Sequence, residues 1–205
     1  VVVLSYFRDV GLRTFAGSST GNSSTSLAHF APLYPECKMY LFTGEDFLRR
    51  LNFRGSGQVV IFALRGATFV EAFAEAAAFG QRGAATGERG FFNYARREGL
   101  KTAFFEAAEA IPRPIDWYVQ AVSGGMGPIG FWKGYEEMYQ MGLVNRLPKL
   151  ALIQAEGCAP MVNSFRKNLP EAEPVTEPTT RVITIATGAP GPAYEYLYRV
   201  FQEHG

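Results

Sequence analysis

The chain has 205 residues, 47% of them hydrophobic and 19% charged, with a formal net charge of +1. These values are typical of one large or two small globular domains, and they predict neither a nucleic-acid partner nor binding to an anionic membrane. No apolar run approaches the roughly 20 residues of a membrane span. Cys37, Cys158, His29 and His204 lack the spacing of metal ligands, so we predict no metal site and a reduced, cytoplasmic setting.

Short strand-like runs alternate with amphipathic runs along the chain. The pattern predicts helices at 1–10, 22–30, 46–52, 68–79, 98–110, 129–141, 159–167 and 193–203. It predicts strands at 12–16, 38–42, 58–64, 116–122, 150–155 and 182–186, loops at 81–90 and 169–180, and a short buried run at 91–93. Strands that alternate with helices favour an α/β fold, which we expect to be a three-layer αβα arrangement with a mostly parallel sheet.

A glycine-rich turn, residues 123–128, lies between a predicted buried strand and a predicted helix. Its sequence is Ser-Gly-Gly-Met-Gly-Pro. Such a turn leaves backbone N–H groups unpaired and directs the positive end of the helix dipole at whatever occupies the turn, which suits a phosphate group. A tight connection without a ligand is the alternative interpretation of this turn taken alone.

A second loop, residues 18–24, also separates a predicted strand from a predicted helix, and it is rich in serine. In parallel sheets, ligands bind at the carboxyl ends of the strands, where such turns lead into helices. Two turns able to bind anions favour a ligand site more strongly than one. The alternative is that the hydroxyl groups only cap the start of a helix.

Four stretches resemble those of one enzyme family. Residues 18–28 resemble the Ser-Thr-Gly-Asn loop of pyridoxal-phosphate enzymes with the tryptophan-synthase-β fold, also called fold type II. Residues 93–102 resemble the Asn-Pro-x-Arg-x-Glu-Gly-x-Lys-Thr stretch of threonine synthases. Residues 123–135 resemble their cofactor-phosphate loop and its helix, and residues 154–160 resemble the corresponding segment there.

The resemblance implies the cofactor, pyridoxal 5'-phosphate, and a role for each matching residue. Asn22 would lie against the pyridine ring and hydrogen-bond its ring oxygen. Arg96 would bind a substrate phosphate, for which the fork of a guanidinium is well shaped; a solvated helix entrance is its alternative role. The amino-acid carboxylate would bind Ser19, Thr20, Gly21 and Ser23, and the cofactor phosphate would bind Ser123, Gly124, Gly125, Met126 and Gly127.

Some family features have no match in the sequence. The family's Schiff-base lysine precedes the helix at which Val1 stands, and the partner of the pyridine nitrogen comes from a later segment, so we expect this chain to be an internal fragment without a catalytic residue of its own. Gly90 and Phe91 replace small polar residues that help to hold the substrate phosphate in threonine synthases. Tyr94 stands where proline is common.

The resemblance implies a lyase or synthase that acts on a small amino acid, and it is compatible with a homodimer. The first hypothesis is conversion of O-phosphohomoserine to threonine and phosphate. The replacements at Gly90 and Phe91 motivate a second, a serine or threonine dehydratase or a cysteate-synthase-like enzyme acting on phosphoserine. A third is a non-catalytic fragment. We predict that residues 1–110 form mainly the small substrate-binding domain and that 111–205 form part of the large cofactor-binding domain.

Overall fold

The computed structural model describes residues 1–83 and 85–204. Position 84, inside the predicted loop at 81–90, and position 205 lie outside this description. The chain divides into two compact units, Val1–Arg96 and Arg97–Gly205. The functional assignment of the two predicted domains, with a boundary at residue 110, stays a prediction. Within the described ranges, no helix combines the length and apolar character that crossing a membrane requires.

The first unit is built on a parallel sheet of the strands β1 (Thr14–Ser18), β2 (Lys38–Gly44), β3 (Val59–Leu64) and β4 (Thr86–Gly87). Its helices are α1 (Val2–Asp9), α2 (Asn22–Phe30) and α3 (Phe69–Gln81). The strand order is β3-β2-β1-β4, so β2 and β3 lie on one side of β1, β4 lies on the other, and the order reverses beside β1.

Helices cover both faces of this sheet because its strands alternate apolar side chains between the two faces. On one face, Phe15 and Met39 pack with Leu4 of α1. On the other, Ala16 and Phe42 pack with Ala76 of α3. The mostly parallel αβα arrangement is therefore observed in this unit.

Several predicted boundaries in the first unit are wrong. Strand β1 lies two residues later than predicted, and β4 lies inside the predicted loop. Helix α3 (Phe69–Gln81) extends two residues past the predicted end at 79, and the Thr68 side chain caps its start by accepting a hydrogen bond from the Glu71 backbone N–H. The run at 91–93 is not wholly buried, since Phe92 is 60% exposed. The predicted helix at 46–52 is the 3₁₀ helix Glu45–Arg50.

Among its described residues, 97–204, the second unit contains a parallel pair of strands, three whole α-helices and most of a fourth. Strands β5 (Trp117–Ala121) and β6 (Lys149–Ile153) pair in register. Helices α5 (Met126–Gln140), α6 (Pro160–Arg166) and α7 (Pro192–His204) follow the strands, while α4 (Tyr94–Ala110) begins at the end of the first unit.

Three predictions for the second unit need correction. The β5 strand is not fully buried, because helices pack against one of its faces and leave Trp117 and Val119 more than half exposed on the other. Helix α5 starts three residues before the predicted position. The predicted strand at 182–186 is a 3₁₀ turn, Ile183–Ile185, because no neighbouring strand pairs with it among the described residues.

Within the second unit, α4 and α5 pack at two glycines of α5. A Cβ atom added at Gly130 would clash with the Cβ of Leu100, well inside van der Waals contact. A Cβ added at Gly134 would lie 3.5 Å from the Cβ of Lys101, an ordinary van der Waals distance. The close approach of the two helices therefore depends on Gly130 and tolerates a methyl group at 134.

Four charged side chains join the same two helices. Lys101 pairs with Glu137 at 2.7 Å and also with Glu98, while Lys133 pairs with Glu98 at 3.1 Å and with Glu137 at 2.9 Å. Burial raises the pKa of each carboxyl, but the hydrogen bonds and charges of the two lysines together outweigh it, so the pKa values of Glu98 and Glu137 lie below their usual range. Both carboxylates are therefore ionised partners at neutral pH.

We expect Gly130→Ala to lower the free energy of unfolding by about 1–3 kcal/mol, because the added methyl group forces α4 and α5 apart. Gly134→Ala is the matched control in the same helix. It should leave stability unchanged or raise it by up to about 1 kcal/mol, since alanine is the better helix former. Urea denaturation of both variants measures the difference, and equal stability of the two would contradict this packing.

Candidate active site

The carboxyl edge of the first sheet is where its site residues converge. Parallel strands β1 and β4 are neighbours, and the Glu88 backbone N–H donates to the Ala16 carbonyl at 2.7 Å just past the end of β4. A Cβ added at Gly17 would lie 3.3 Å from the Cβ of Glu88. The loops that follow the two strands therefore start side by side, where the strand order reverses and α/β sheets bind ligands.

The loop after β1 leads straight into α2 without a side-chain cap. Gly21 is the N-cap residue, with a φ of 154° that favours glycine, and no acidic residue lies in the first turn. The first helical bond runs from the Thr25 N–H to the Gly21 carbonyl, so the preceding amides have no partner within the helix. Ser19 is buried and its hydroxyl accepts the Gly21 N–H at 3.1 Å. The turn is thus shaped for an anion.

Two buried hydroxyl groups at this edge lack a hydrogen-bond partner among the described residues. They are Ser18 Oγ, at the end of β1, and Thr43 Oγ1, near the end of β2. Native proteins satisfy nearly all buried polar atoms with protein, water or ligand partners. The two hydroxyls thus mark an edge that has polar groups to offer a bound molecule.

A buried carboxylate organises the loop after β4. Glu88 is 5% exposed and accepts hydrogen bonds from the Gly90 backbone N–H at 3.2 Å and from Asn93 Nδ2 at 3.1 Å. Its Oε1 also lies 3.4 Å from Nε of Arg96. All three partners are hydrogen-bond donors, which is what the oxygens of a carboxylate accept. Arg96, in the first turn of α4, is therefore held at its Nε by Glu88.

The glycine-rich turn of the second unit connects β5 to α5. Gly125 is the N-cap of α5, in the left-handed region at φ 82°, without a side-chain cap. A Cβ there would lie 2.9 Å from Leu197 Cδ1 and 3.0 Å from Met161 Cε. Glycine is thus favoured at 125 by the left-handed backbone, and a Cβ there would also displace the ends of the Leu197 and Met161 side chains.

The start of α5 fits a phosphate group in three respects. The first helical bond joins the Ile129 N–H to the Gly125 carbonyl, so the amides of Met126 and Gly127 precede it, and Pro128 has no N–H. No acidic residue lies in the first turn. A Cβ added at Gly124 would meet no atom within 4 Å, so there is space beside the amides for a ligand.

One cavity of the first unit lies beside this edge rather than on it. It has a volume of about 850 Å³ and lies between α3 and strands β1 and β4. Gly17, Ser18 and Glu88 line it, but none of the predicted substrate-binding residues does. We therefore place the candidate site on the loops at the carboxyl edge and not in this cavity.

Sequence reasoning missed two residues beside the predicted ones. Glu88 lies in a stretch predicted to be a surface loop, and its burial depends on the unpredicted strand β4. Thr187 lies just after the predicted strand at 182–186, and its hydroxyl is 2.6 Å from Ser123 Oγ. Cys158 is buried, and burial raises the pKa of its thiol.

Comparison with known proteins shows the family and the fold of the chain. Residues 2–205 match the family described as pyridoxal-phosphate dependent enzyme. Threonine synthase of Methanosarcina acetivorans is 28% identical over 203 residues, which cover 96% of this chain and 49% of that protein. Cysteate synthase of the same organism is 38% identical over 81 residues, or 39% of this chain and 20% of that protein. The structure of the processed form of threonine deaminase isoform 2 from Solanum lycopersicum has a TM-score of 0.69 at 16% identity, covering 96% of this chain and 53% of that chain.

The fold is that of fold type II pyridoxal-phosphate enzymes, as the sequence resemblance predicted. The chain belongs to the pyridoxal-phosphate dependent enzyme family. It spans about half the length of the Methanosarcina threonine synthase that it matches. The roles of the individual site residues stay predictions.

We expect Gly125→Ala to lower the free energy of unfolding by about 1–3 kcal/mol and to weaken pyridoxal-phosphate binding, because the new methyl group is strained and crowded. Gly124→Ala is the matched control. Its methyl group meets open space in the protein, so it should weaken cofactor binding alone. Urea denaturation and cofactor titration measure the two effects, and a stable Gly125→Ala variant would contradict the packing described.

Proposed function

We propose that the full-length protein is a pyridoxal-phosphate-dependent synthase or lyase that replaces or eliminates a group at the β or γ carbon of an amino acid, as in threonine synthase. The observation that carries the proposal is the uncapped start of α5 behind the left-handed Gly125, in a chain of this family. Conversion of O-phosphohomoserine to threonine and phosphate is the reaction we favour.

The cofactor, when bound, supplies the electron sink that stabilises negative charge at the substrate α-carbon. The turn at 123–127 would hold its phosphate through the amides of Met126 and Gly127 and the hydroxyl of Ser123. The dipole of α5, a helix of 15 residues, favours a negative group at this end. These residues anchor and orient the cofactor and take no part in proton transfer.

The loop before α2 would bind the carboxylate of the amino acid. Ser19 holds the loop in shape through its bond to the Gly21 amide, and the amide groups at the start of α2 are the donors that we propose for the carboxylate. Thr20 and Ser23 would add hydroxyl groups. A carboxylate fixed in this way sets the orientation of the α-carbon relative to the reacting groups.

Arg96 would bind the phosphate of the substrate at the same sheet edge. Glu88 holds the Nε edge of Arg96, so the Nη edge would provide the bidentate contact. The negative charge of Glu88 also offsets part of the positive charge of Arg96, which limits the affinity for phosphate and favours release of the product.

A second candidate is a serine or threonine dehydratase or a cysteate-synthase-like enzyme. The replacement of small polar residues by Gly90 and Phe91 favours it. A Cβ at position 90 would lie 3.9 Å from Arg96 Nη1, and glycine places no polar side chain there. The similarity to a cysteate synthase and to a threonine deaminase supports the same alternative. Cytoplasmic location and homodimer formation stay predictions.

Assays of the full-length protein with pyridoxal phosphate distinguish these reactions. O-phosphohomoserine, phosphoserine, threonine and serine are offered separately, and release of phosphate and of 2-oxo acid is measured. We expect phosphate and threonine from O-phosphohomoserine. Release of 2-oxo acid from threonine or serine would instead indicate a dehydratase. Release of phosphate from phosphoserine only when sulfite is added, as the nucleophile that replaces the phosphate group, would indicate the cysteate-synthase-like reaction. A protein that shows no absorbance change with the cofactor would contradict all three.

Substitution of Arg96 tests the substrate-phosphate site. We expect Arg96→Lys to raise KM for the phosphorylated substrate about tenfold, because a lysine cannot form the bidentate contact. Arg97→Lys, at the next position of α4, is the matched control and should leave KM within about twofold. Steady-state kinetics of both variants measures the change, and an unaltered KM in Arg96→Lys would contradict the assignment.

A further inference from the structure

The segment that follows the 3₁₀ turn Ile183–Ile185 is fixed against the second unit by backbone packing. Gly188 accepts a hydrogen bond from the Val175 N–H at 2.9 Å, and a Cβ at 188 would clash with the Val175 carbonyl oxygen. The Thr187 N–H donates to the Ile185 carbonyl at 3.0 Å. These contacts leave Thr187 little freedom, and its side chain is 6% exposed.

The Thr187 side chain ends on the glycine-rich turn. Its Oγ1 lies 2.6 Å from Ser123 Oγ, a distance typical of a hydrogen bond between two hydroxyl groups. Ser123 itself is only partly buried, at the start of the turn. The two hydroxyls thus form a short chain that runs from the buried Thr187 to Ser123 and the turn.

A phosphate group decides the direction of this hydrogen-bond chain. A phosphate oxygen accepts hydrogen bonds, so Ser123 must donate its one proton to the phosphate in order to bind it. Ser123 Oγ is then the acceptor of the bond between the two side chains, and the Thr187 hydroxyl is the donor. A buried donor behind a serine hydroxyl fixes its rotamer and strengthens the bond that the serine donates, because chains of hydrogen bonds polarise one another.

We propose that Thr187 is a positioning residue for the cofactor phosphate, which it serves by donating a hydrogen bond to Ser123 so that the Ser123 proton is directed at the phosphate. This inference rests on the proposed function, since it takes the turn at 123–127 to be the phosphate site. Thr187 does not contact the cofactor in this account. Its effect is therefore confined to the phosphate and disappears when Ser123 has no hydroxyl.

The experiment compares two ligands that differ only in the phosphate. Affinities of the full-length protein for pyridoxal phosphate and for pyridoxal are measured by absorbance titration. Thr187→Val removes the hydroxyl group and keeps nearly the same side-chain shape. It should lower the affinity for pyridoxal phosphate about fivefold, the effect of one neutral hydrogen bond, and leave the affinity for pyridoxal unchanged. Thr187→Ser keeps the hydroxyl and should restore most of the affinity.

A double-mutant cycle with Ser123→Ala completes the test. In the Ser123→Ala background, Thr187→Val should have no further effect on pyridoxal phosphate. Equal weakening of both ligands, an unchanged affinity in Thr187→Val, or additive effects of the two substitutions would each overturn the proposal. Should the valine variant not fold, Thr187→Cys, whose thiol is a weak donor, replaces it with the same expected results.

Failure of the inference and failure of the proposed function give different results. If the unsubstituted protein binds pyridoxal phosphate no more tightly than pyridoxal, the turn is not a phosphate site and both fall. If the unsubstituted protein and Thr187→Val both bind pyridoxal phosphate more tightly than pyridoxal, and by the same factor, the turn is a phosphate site and only the role of Thr187 is wrong.

Discussion

This structure depends on the unpaired backbone amide groups at the start of each helix that follows a parallel strand. Both α2 and α5 begin at a glycine with positive φ, and both lack a side-chain cap and an acidic residue in the first turn. A helix start in this state is best satisfied by an anion. In each unit, the parallel strands and the packed helices hold one such helix start at the edge of the sheet.

Glycine is favoured at these starts for physical reasons that differ between positions. At Gly125 the backbone is left-handed and the side chains of α6 and α7 close off the Cβ position, whereas at Gly124 the Cβ position is open. The turn thus combines a fixed residue that packs against the protein with a neighbouring one that leaves space for a ligand. At the carboxyl edge of the first sheet, the buried Glu88 accepts from three donors in and after the loop that follows β4. One of these donors is Arg96, so the place of Arg96 depends on the two-residue strand β4.

The sequence predicted most of the helices and strands and the two glycine-containing turns between a strand and a helix, because these depend on local patterns of apolar periodicity and glycine placement. It did not predict β4, whose two residues lie in a polar, glycine-rich stretch and are a strand only because β1 pairs with them. The β-branched residues at 182–186 favour a strand, yet residues Ile183–Ile185 form a 3₁₀ turn. A strand preference has an effect only where a neighbouring strand is present to pair with. Glu88 and Thr187 were therefore missed, since their positions depend on tertiary contacts.

The central claim is that the start of α5 binds a phosphate through its backbone amides. The most direct test is to record amide chemical shifts of the ¹⁵N-labelled full-length protein with pyridoxal phosphate and with pyridoxal. We expect the amide signals of Met126 and Gly127 to differ between the two ligands. Identical signals for these two amides, with differences elsewhere in the protein, would contradict the claim.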